Sequence, residues 1–154
     1  MTTTEKATTH RIVVGVDGSL SSVAALNWAL RQAELTGATV EAVTTWEWPM
    51  TPAIGMAPPS DFDPKADARK VLDEAMASTD SGHDDVAVES TVVGGPAGMA
   101  LVDASRGADL LVVGSRGHGE VASFLLGSVG EHCMTHAYSP VVVVRHREEP
   151  DDAS

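Results

Sequence analysis

Five short runs of β-branched and aliphatic residues punctuate the chain, and between them apolar positions recur every three or four residues. The runs are RIVVGV, ATVEAVTTW, VAVESTVV, ADLLVVG and SPVVVVRH. Extended segments alternating with helical ones predict the order βαβαβαβαβ. IVVGV, LLVVG and VVVV carry no apolar–polar alternation, the pattern of central parallel strands covered by helices on both faces. The other two runs alternate more and are expected nearer an edge.

The first helix is expected from about Ser21 to Leu35, with Leu26, Ala29, Leu30 and Ala33 on one stripe and Gly37 as a left-handed stop. A second is expected over Lys65 to Ser78, entered through Asp63-Pro64. A third begins at Pro96 and ends near Gly107, with Met99, Leu101, Val102 and Ala104 available for packing. The fourth starts at Ser128, where Ser128 and Glu131 have the spacing of a capping box. Between the second strand and the second helix, residues 47 to 64 form a Pro-rich stretch, read as a functional loop, a lid or disorder.

A length of 154 residues suits one domain and can bury a core without disulfides or a structural metal. Residues 1–9 are polar and Thr-rich, and the C-terminal end is acidic and Pro-interrupted. The expected division is therefore a disordered N-terminal tail over 1–9, one domain over 10–147 and an acidic tail over 148–154. The single cysteine, Cys133, has no internal disulfide partner, and the N-terminus has no apolar signal core, so a cytoplasmic setting is expected. The aliphatic runs fall far short of the roughly 20 residues that cross a bilayer. With 22 acidic against 10 basic residues the net charge is −12, a field that repels nucleic acid. A small phosphate ligand remains compatible with that charge where backbone N–H groups or a metal ion meet it.

Two polar clusters fall at the carboxyl ends of strands, where open parallel sheets bind ligands. VGVDGS sets Asp17, Gly18 and Ser19 past the first strand, and GSRGHGEVASFLLGS follows the fourth. In the latter, Gly114 and Gly117 would allow close backbone approach with positive φ available, and Gly127-Ser128 delivers the N-terminus of the fourth helix to an anion. Composition alone leaves two readings open: a phosphate-binding loop, or a glycine-rich connection followed by a capped helix. Asp17 is equally open, as a ligand contact or as a turn and capping residue. No lysine follows Lys70, so a Walker-type loop is excluded and local positive charge falls to Arg116, partly to His118, or to a metal.

The spacing Gly114-x2-Gly117-x9-Gly127-Ser128 resembles the G-x2-G-x9-G-[S/T] motif of nucleotide-binding universal stress proteins. VGVDGS, ALNWALRQAELTGATV, VVGGPAGMALVDAS and SPVVVVR resemble other parts of that family, leaving only the tails and the 47–64 loop outside it. The resemblance implies a five-stranded parallel sheet in the order 3-2-1-4-5 with helices on both faces, Rossmann-like, binding an adenine nucleotide at the strand ends. It further implies that Gly114, Gly117, Gly127 and Ser128 hold the phosphates of ATP, with Ser115 and Arg116 in the same loop. By the same likeness, Asp17 faces the ribose and a Mg²⁺ ion, Gly15 and Val16 pass beneath the nucleotide, and the backbone of Thr45 contacts adenine. Dimers through the last strand, residues 140–146, are also implied, and the VVVV run is an edge open to pairing.

The remaining reactive residue types read more plainly. His132 and His136 have the i, i+4 spacing of paired metal ligands but lack a third, and are expected to be partly exposed helix residues. Cys133 reads as a small packed residue, Arg106 as a partner of helix-end carbonyls or solvent, and Trp46 and Trp48 as packing groups of which one could shield adenine. Three functions follow from these residues together with what the resemblance implies. The first is an ATP-binding regulator in the stress response with little or no hydrolysis, since no general base or arginine finger is identified. The others are a slow hydrolase or phosphotransferase using Asp17 and Arg116, and a ligand-free dimeric interaction module.

Overall fold

The computed structural model of the chain describes residues 10–48, 61–80, 82–115 and 127–146. Both tails, most of the Pro-rich stretch, and Arg116, Gly117 and His118 lie outside them. The elements are β1 (Arg11–Gly15), α1 (Leu20–Thr36), β2 (Thr39–Trp46), α2 (Pro64–Ala77), β3 (Val88–Gly94), α3 (Ala97–Ala104), β4 (Leu110–Gly114), α4 (Ser128–His136) and β5 (Val141–Val144). All strand pairs are parallel, in the order β3-β2-β1-β4-β5.

Each strand divides its side chains between two apolar layers, as the pleat requires. Ile12, Val14, Val40, Ala42 and Val112 pack with Leu26, Leu30 and Leu72, under α1 and α2. Val13, Val43, Leu111 and Val113 pack on the opposite face with Leu101 and Cys133, under α3 and α4. Ile12, Leu26, Leu72 and Leu111 are among the fully buried side chains, and each such residue contributes roughly 1.5–3 kcal/mol relative to exposure.

The helix ends follow local chemistry. Ser19 caps α1 by accepting the Ser22 N–H, and Gly37 closes it at φ 77°, donating to the Ala33 carbonyl. Asp63 caps α2 by accepting the Ala66 N–H, ahead of a proline in the first turn. Pro96 is the cap residue of α3 rather than its first helical residue. The capping box expected at Ser128 does not form. Gly127 occupies the cap position without a side-chain bond and Ser128 is already the first helical residue, one place too far along to cap.

Strand patterning misplaced two strands. VVVV forms the edge strand β5, while the more alternating β2 lies inside the sheet between β3 and β1. β5 lies within reach of α1 on one face and α4 on the other, so an edge strand here still needs apolar residues throughout. The polar residue that makes β2 look amphipathic, Glu41, is instead paired with the guanidinium of Arg11, both side chains being mostly buried. Arg11 also donates to the carbonyls of Ala104 (3.0 Å) and Arg106 (2.8 Å) at the end of α3. The helix-end contact expected of Arg106 is thus made by Arg11, and Arg106 stacks over the Tyr138 ring at 4.0 Å. Among the described residues no helix is long and apolar enough to cross a membrane.

The carboxyl end of β4 is shaped by a backbone crossing. A Cβ at Gly114 would stand 2.7 Å from the carbonyl carbon of Ser21 and 2.8 Å from its oxygen, in the first turn of α1. Gly114 is not among the glycines with positive φ. It is required for close packing of helix on strand rather than for an unusual backbone angle. Gly114→Ala is expected to lower the unfolding free energy by about 2 kcal/mol in ligand-free protein, because backbone has to move. Denaturant unfolding of the two proteins checks this, and equal midpoints would refute it.

Candidate functional site

β1 is the topological switch of the sheet: the chain leaves it toward β2 on one side and returns to β4 on the other, which opens a crevice above their carboxyl ends. A cleft of about 400 Å³ occupies that place, with Gly15, Val16 and Asp17 beyond β1, Val43 to Glu47 along β2, and Val113 and Gly114 at the end of β4. α3 contributes Ala97 and Leu101, and α4 contributes Gly127, Val129 and Gly130. The missing side chain at Gly15 makes room for Leu101, whose Cδ1 lies 2.7 Å from where a Cβ would be.

β1 and β2 part company at the floor. The Val16 N–H donates to the Val43 carbonyl at 2.8 Å, and the Val16 carbonyl accepts the Thr44 hydroxyl at 2.8 Å. Beyond this point no backbone hydrogen bond joins the two segments among the described residues. Since the Val43 carbonyl points toward β1, alternation directs the N–H and C=O of Thr45 the same way, into the space that β1 has vacated.

Asp17 sits at the rim, exposed, in a turn that Gly18 completes at φ 83°. Its Oδ1 accepts the Ser19 N–H at 2.9 Å, so one carboxylate oxygen holds the turn that feeds the cap of α1. Asp17 therefore has the turn-forming role and a place on the cleft at once.

The α4 end is built from main chain. The Gly127 N–H is spent on the Ser115 carbonyl at 3.0 Å, and the Ser115 N–H donates to the Val144 carbonyl at 2.9 Å. Those bonds hold Gly127 against Ser115, and Ser115 against β5. The first backbone bond of α4 runs from Glu131 N–H to the Gly127 carbonyl. The N–H groups of Ser128, Val129 and Gly130 precede it, and among the described residues no side chain caps them, so the positive end of the helix dipole stands at the cleft edge.

Of the expected site residues, the structure brings Gly15, Val16, Asp17, Thr45, Gly114 and Gly127 onto one cleft. Ser115 and Ser128 lie beside it without lining it, Ser128 being exposed, while Arg116 and Gly117 lie outside the described residues. The sequence reading missed α2. Pro64, Asp67, Ala68 and Val71 all line the cleft, a stripe of i, i+3, i+4 and i+7 positions whose neighbour, Leu72, is core. The helical periodicity was visible, but which stripe met a cavity depended on how α2 rotates over β2. Every charged residue lining the cleft among the described ones, Asp17, Glu47 and Asp67, is acidic.

The sequence profile of the Universal stress protein family matches residues 8–145. The chain belongs to the universal stress protein family. A universal stress protein of Mycobacterium tuberculosis (strain ATCC 25618 / H37Rv) is 34% identical over 141 residues, covering 91% of this chain and 50% of the relative. This universal stress protein chain thus spans about half the length of the curated relatives it matches. Among solved structures, a universal stress protein in complex with cAMP is 31% identical with a TM-score of 0.59, covering 88% of this chain and 95% of the other. One from Archaeoglobus fulgidus in complex with dAMP has a TM-score of 0.59 over 88% of this chain and 97% of the other; its 21% identity bears on the fold alone.

His132, His136 and Cys133 of this universal stress protein are not among the residues that line the cleft. The rings of His132 and His136 lie 4.6 Å apart between centroids, His132 half-buried near Gly98 on α3 and His136 exposed. Among the described residues no three His, Cys, Asp or Glu side chains gather as a metal site. Trp46 lines the cleft and meets Trp48 edge-on at 6.1 Å, and Trp48 leans on Phe62 at the same distance. Cys133 is fully buried in the α3–α4 layer, and burial pushes its thiol from 9.0 up to about 11. A thiol whose folded pKa is raised favours the fold below its unfolded pKa and loses that contribution as pH climbs toward the folded value. Between pH 9 and about 11 the wild-type protein should therefore lose on the order of 2 kcal/mol more stability than Cys133→Ala. Parallel pH profiles of the two in denaturant unfolding would refute this.

Proposed function

We propose that this universal stress protein binds an adenine nucleotide, ATP with Mg²⁺, in the cleft above β1, β2 and β4, and works by occupancy rather than turnover in a cytoplasmic stress response. The observation that carries the reading is the N-terminus of α4, where the cap residue Gly127 has no side chain to bond the first N–H groups, at the edge of the cleft. N–H groups at a helix N-terminus and the helix dipole suit phosphate oxygens, and the Gly114-x2-Gly117-x9-Gly127-Ser128 spacing of the sequence supports the same ligand. Gly15 and Val16 would underlie the nucleoside, and the Thr45 backbone, turned toward the vacated flank of β1, would meet the ring nitrogens of adenine. The cAMP complex of a relative at 31% identity supports an adenine nucleotide.

The donor set fits a magnesium ion. Asp17 keeps Oδ2 available when Oδ1 holds Ser19 N–H, and a hard cation bound by one carboxylate and phosphate oxygens is the ordinary Mg²⁺ arrangement. Such an ion would offset the repulsion between polyphosphate and the acidic lining. Asp17 itself is tied to its turn through Oδ1, which suits a holding role.

Titration calorimetry with MgATP should show saturable heat, with a rise in Tm near millimolar nucleotide; absence of both refutes the reading. Asp17→Asn retains a side-chain oxygen for the turn and should weaken MgATP by about tenfold while leaving metal-free AMP nearly unchanged. Equal losses for the two would place Asp17 outside metal binding.

Pairing of two copies through residues 140–146 belongs to the same proposal. β5 is an edge strand with four successive valines, each only partly buried within one chain. Sedimentation at tens of micromolar protein should give twice the chain mass, and a monomer would refute it.

A further inference from the structure

The cleft has two chemically opposite ends. α4 packs on α3 and β5, and its N-terminus faces the β4 side of the opening. α2 packs on β2 and β3, and its Pro64–Asp67–Ala68–Val71 stripe faces the other side. With β1 between β2 and β4, the two ends are separated by two strand spacings, about 10 Å. That span lets a ligand put phosphate at one end and a base at the other.

Among the described residues, the α2 end is an apolar slot bordered by two carboxylates, Asp67 on the helix and Glu47 at the end of β2. Pro64, Ala68 and Val71 come from the helix, and Trp46 lines the cleft from β2. Trp46 falls on the α2 face of the sheet, because Val40 and Ala42 pack with Leu72 on that face and residues two apart share a side. Such surfaces suit a flat aromatic ring. Asp67 is the only ionisable member of the helical stripe, and an ionised carboxylate can only accept hydrogen bonds.

We propose that Asp67 is a specificity-determining residue that selects a 6-aminopurine over a 6-oxopurine, a role that rests on the nucleotide reading of the cleft. An exocyclic amino group donates to the Asp67 carboxylate. A 6-oxo group instead sets a carbonyl oxygen against it, and the site pays for an unmatched acceptor pair. The negative α2 end and the positive α4 end also orient the ligand, since phosphate placed beside Asp67 and Glu47 is repelled.

The test compares ATP and inosine triphosphate, both with Mg²⁺, by calorimetry on the full chain. The wild-type protein should prefer ATP by about tenfold or more. Asp67→Asn, whose amide can turn to donate, should admit inosine triphosphate and shrink that ratio to about threefold or less. Asp67 is exposed in the first turn of α2, so the variant should fold, which a thermal melt verifies. If Asp67→Asn raises both affinities by the same factor, the carboxylate acts through charge alone and the proposal falls. An unchanged ratio overturns it as well. Failure of the wild-type protein to bind either nucleotide overturns the nucleotide reading itself, and is distinguishable from binding without selection.

Discussion

Close packing against the bare carboxyl ends of β1 and β4 is the constraint from which the cleft arises. α1 can begin beside β4 only because Gly114 has no side chain where the Ser21 backbone passes. On the other face Leu101 of α3 fills the place a side chain at Gly15 would take. Helices are thereby drawn close to the strand ends on both faces, and the backbone of β1 and β4 borders the cleft at these glycines. Polar main-chain groups are then presented to a ligand without the conformational cost of ordering long side chains. A larger residue at either glycine would act on the fold first and on the site only through it.

The electrostatics of the site run against the protein's overall charge. A chain of net charge −12 with an acidic cleft lining repels free phosphate at long range, so an anionic ligand depends on short-range donors. The end of α4 could supply such donors, because glycine, not serine, takes the cap position and offers no side chain to bond the first N–H groups. A serine cap would have used one of them internally. The acidic groups on the α2 side then make the cleft polar along its length, which gives a ligand a direction as well as a place.

Stability and ligand chemistry occupy opposite ends of the sheet. At the amino end of β1, Arg11 pairs with Glu41 and binds two carbonyls at the end of α3, a set of charge-assisted bonds that locks β1, β2 and α3 together. Nearby, Asp109 accepts from the Arg11 N–H and lies 3.2 Å from His10 Nδ1. At the carboxyl end the strand termini border the cleft instead. A partly buried ion pair such as Arg11–Glu41 is a modest source of net stability but a strong source of register, since either charge left alone would be costly.

Local sequence determined much of this protein. The apolar runs set the five strands, Ser19, Asp63 and Gly37 set helix ends, and the glycine spacing after β4 identified the family and, through it, the strand order. These are properties of residues near one another in the chain, where backbone preference and hydrophobic period act directly. Other features needed residues far apart to meet. Gly114 was read as a ligand contact, yet its steric reason is Ser21; the polar Glu41 made an interior strand resemble an edge until Arg11 was opposite it; and Asp67 carried no signal until α2 turned its stripe toward β2. Capping at Ser128 failed by a single residue, because the bond from Gly127 N–H to Ser115 fixes where α4 begins. Pattern decides which elements form, whereas packing decides which faces they show one another, and the cleft is made of those faces.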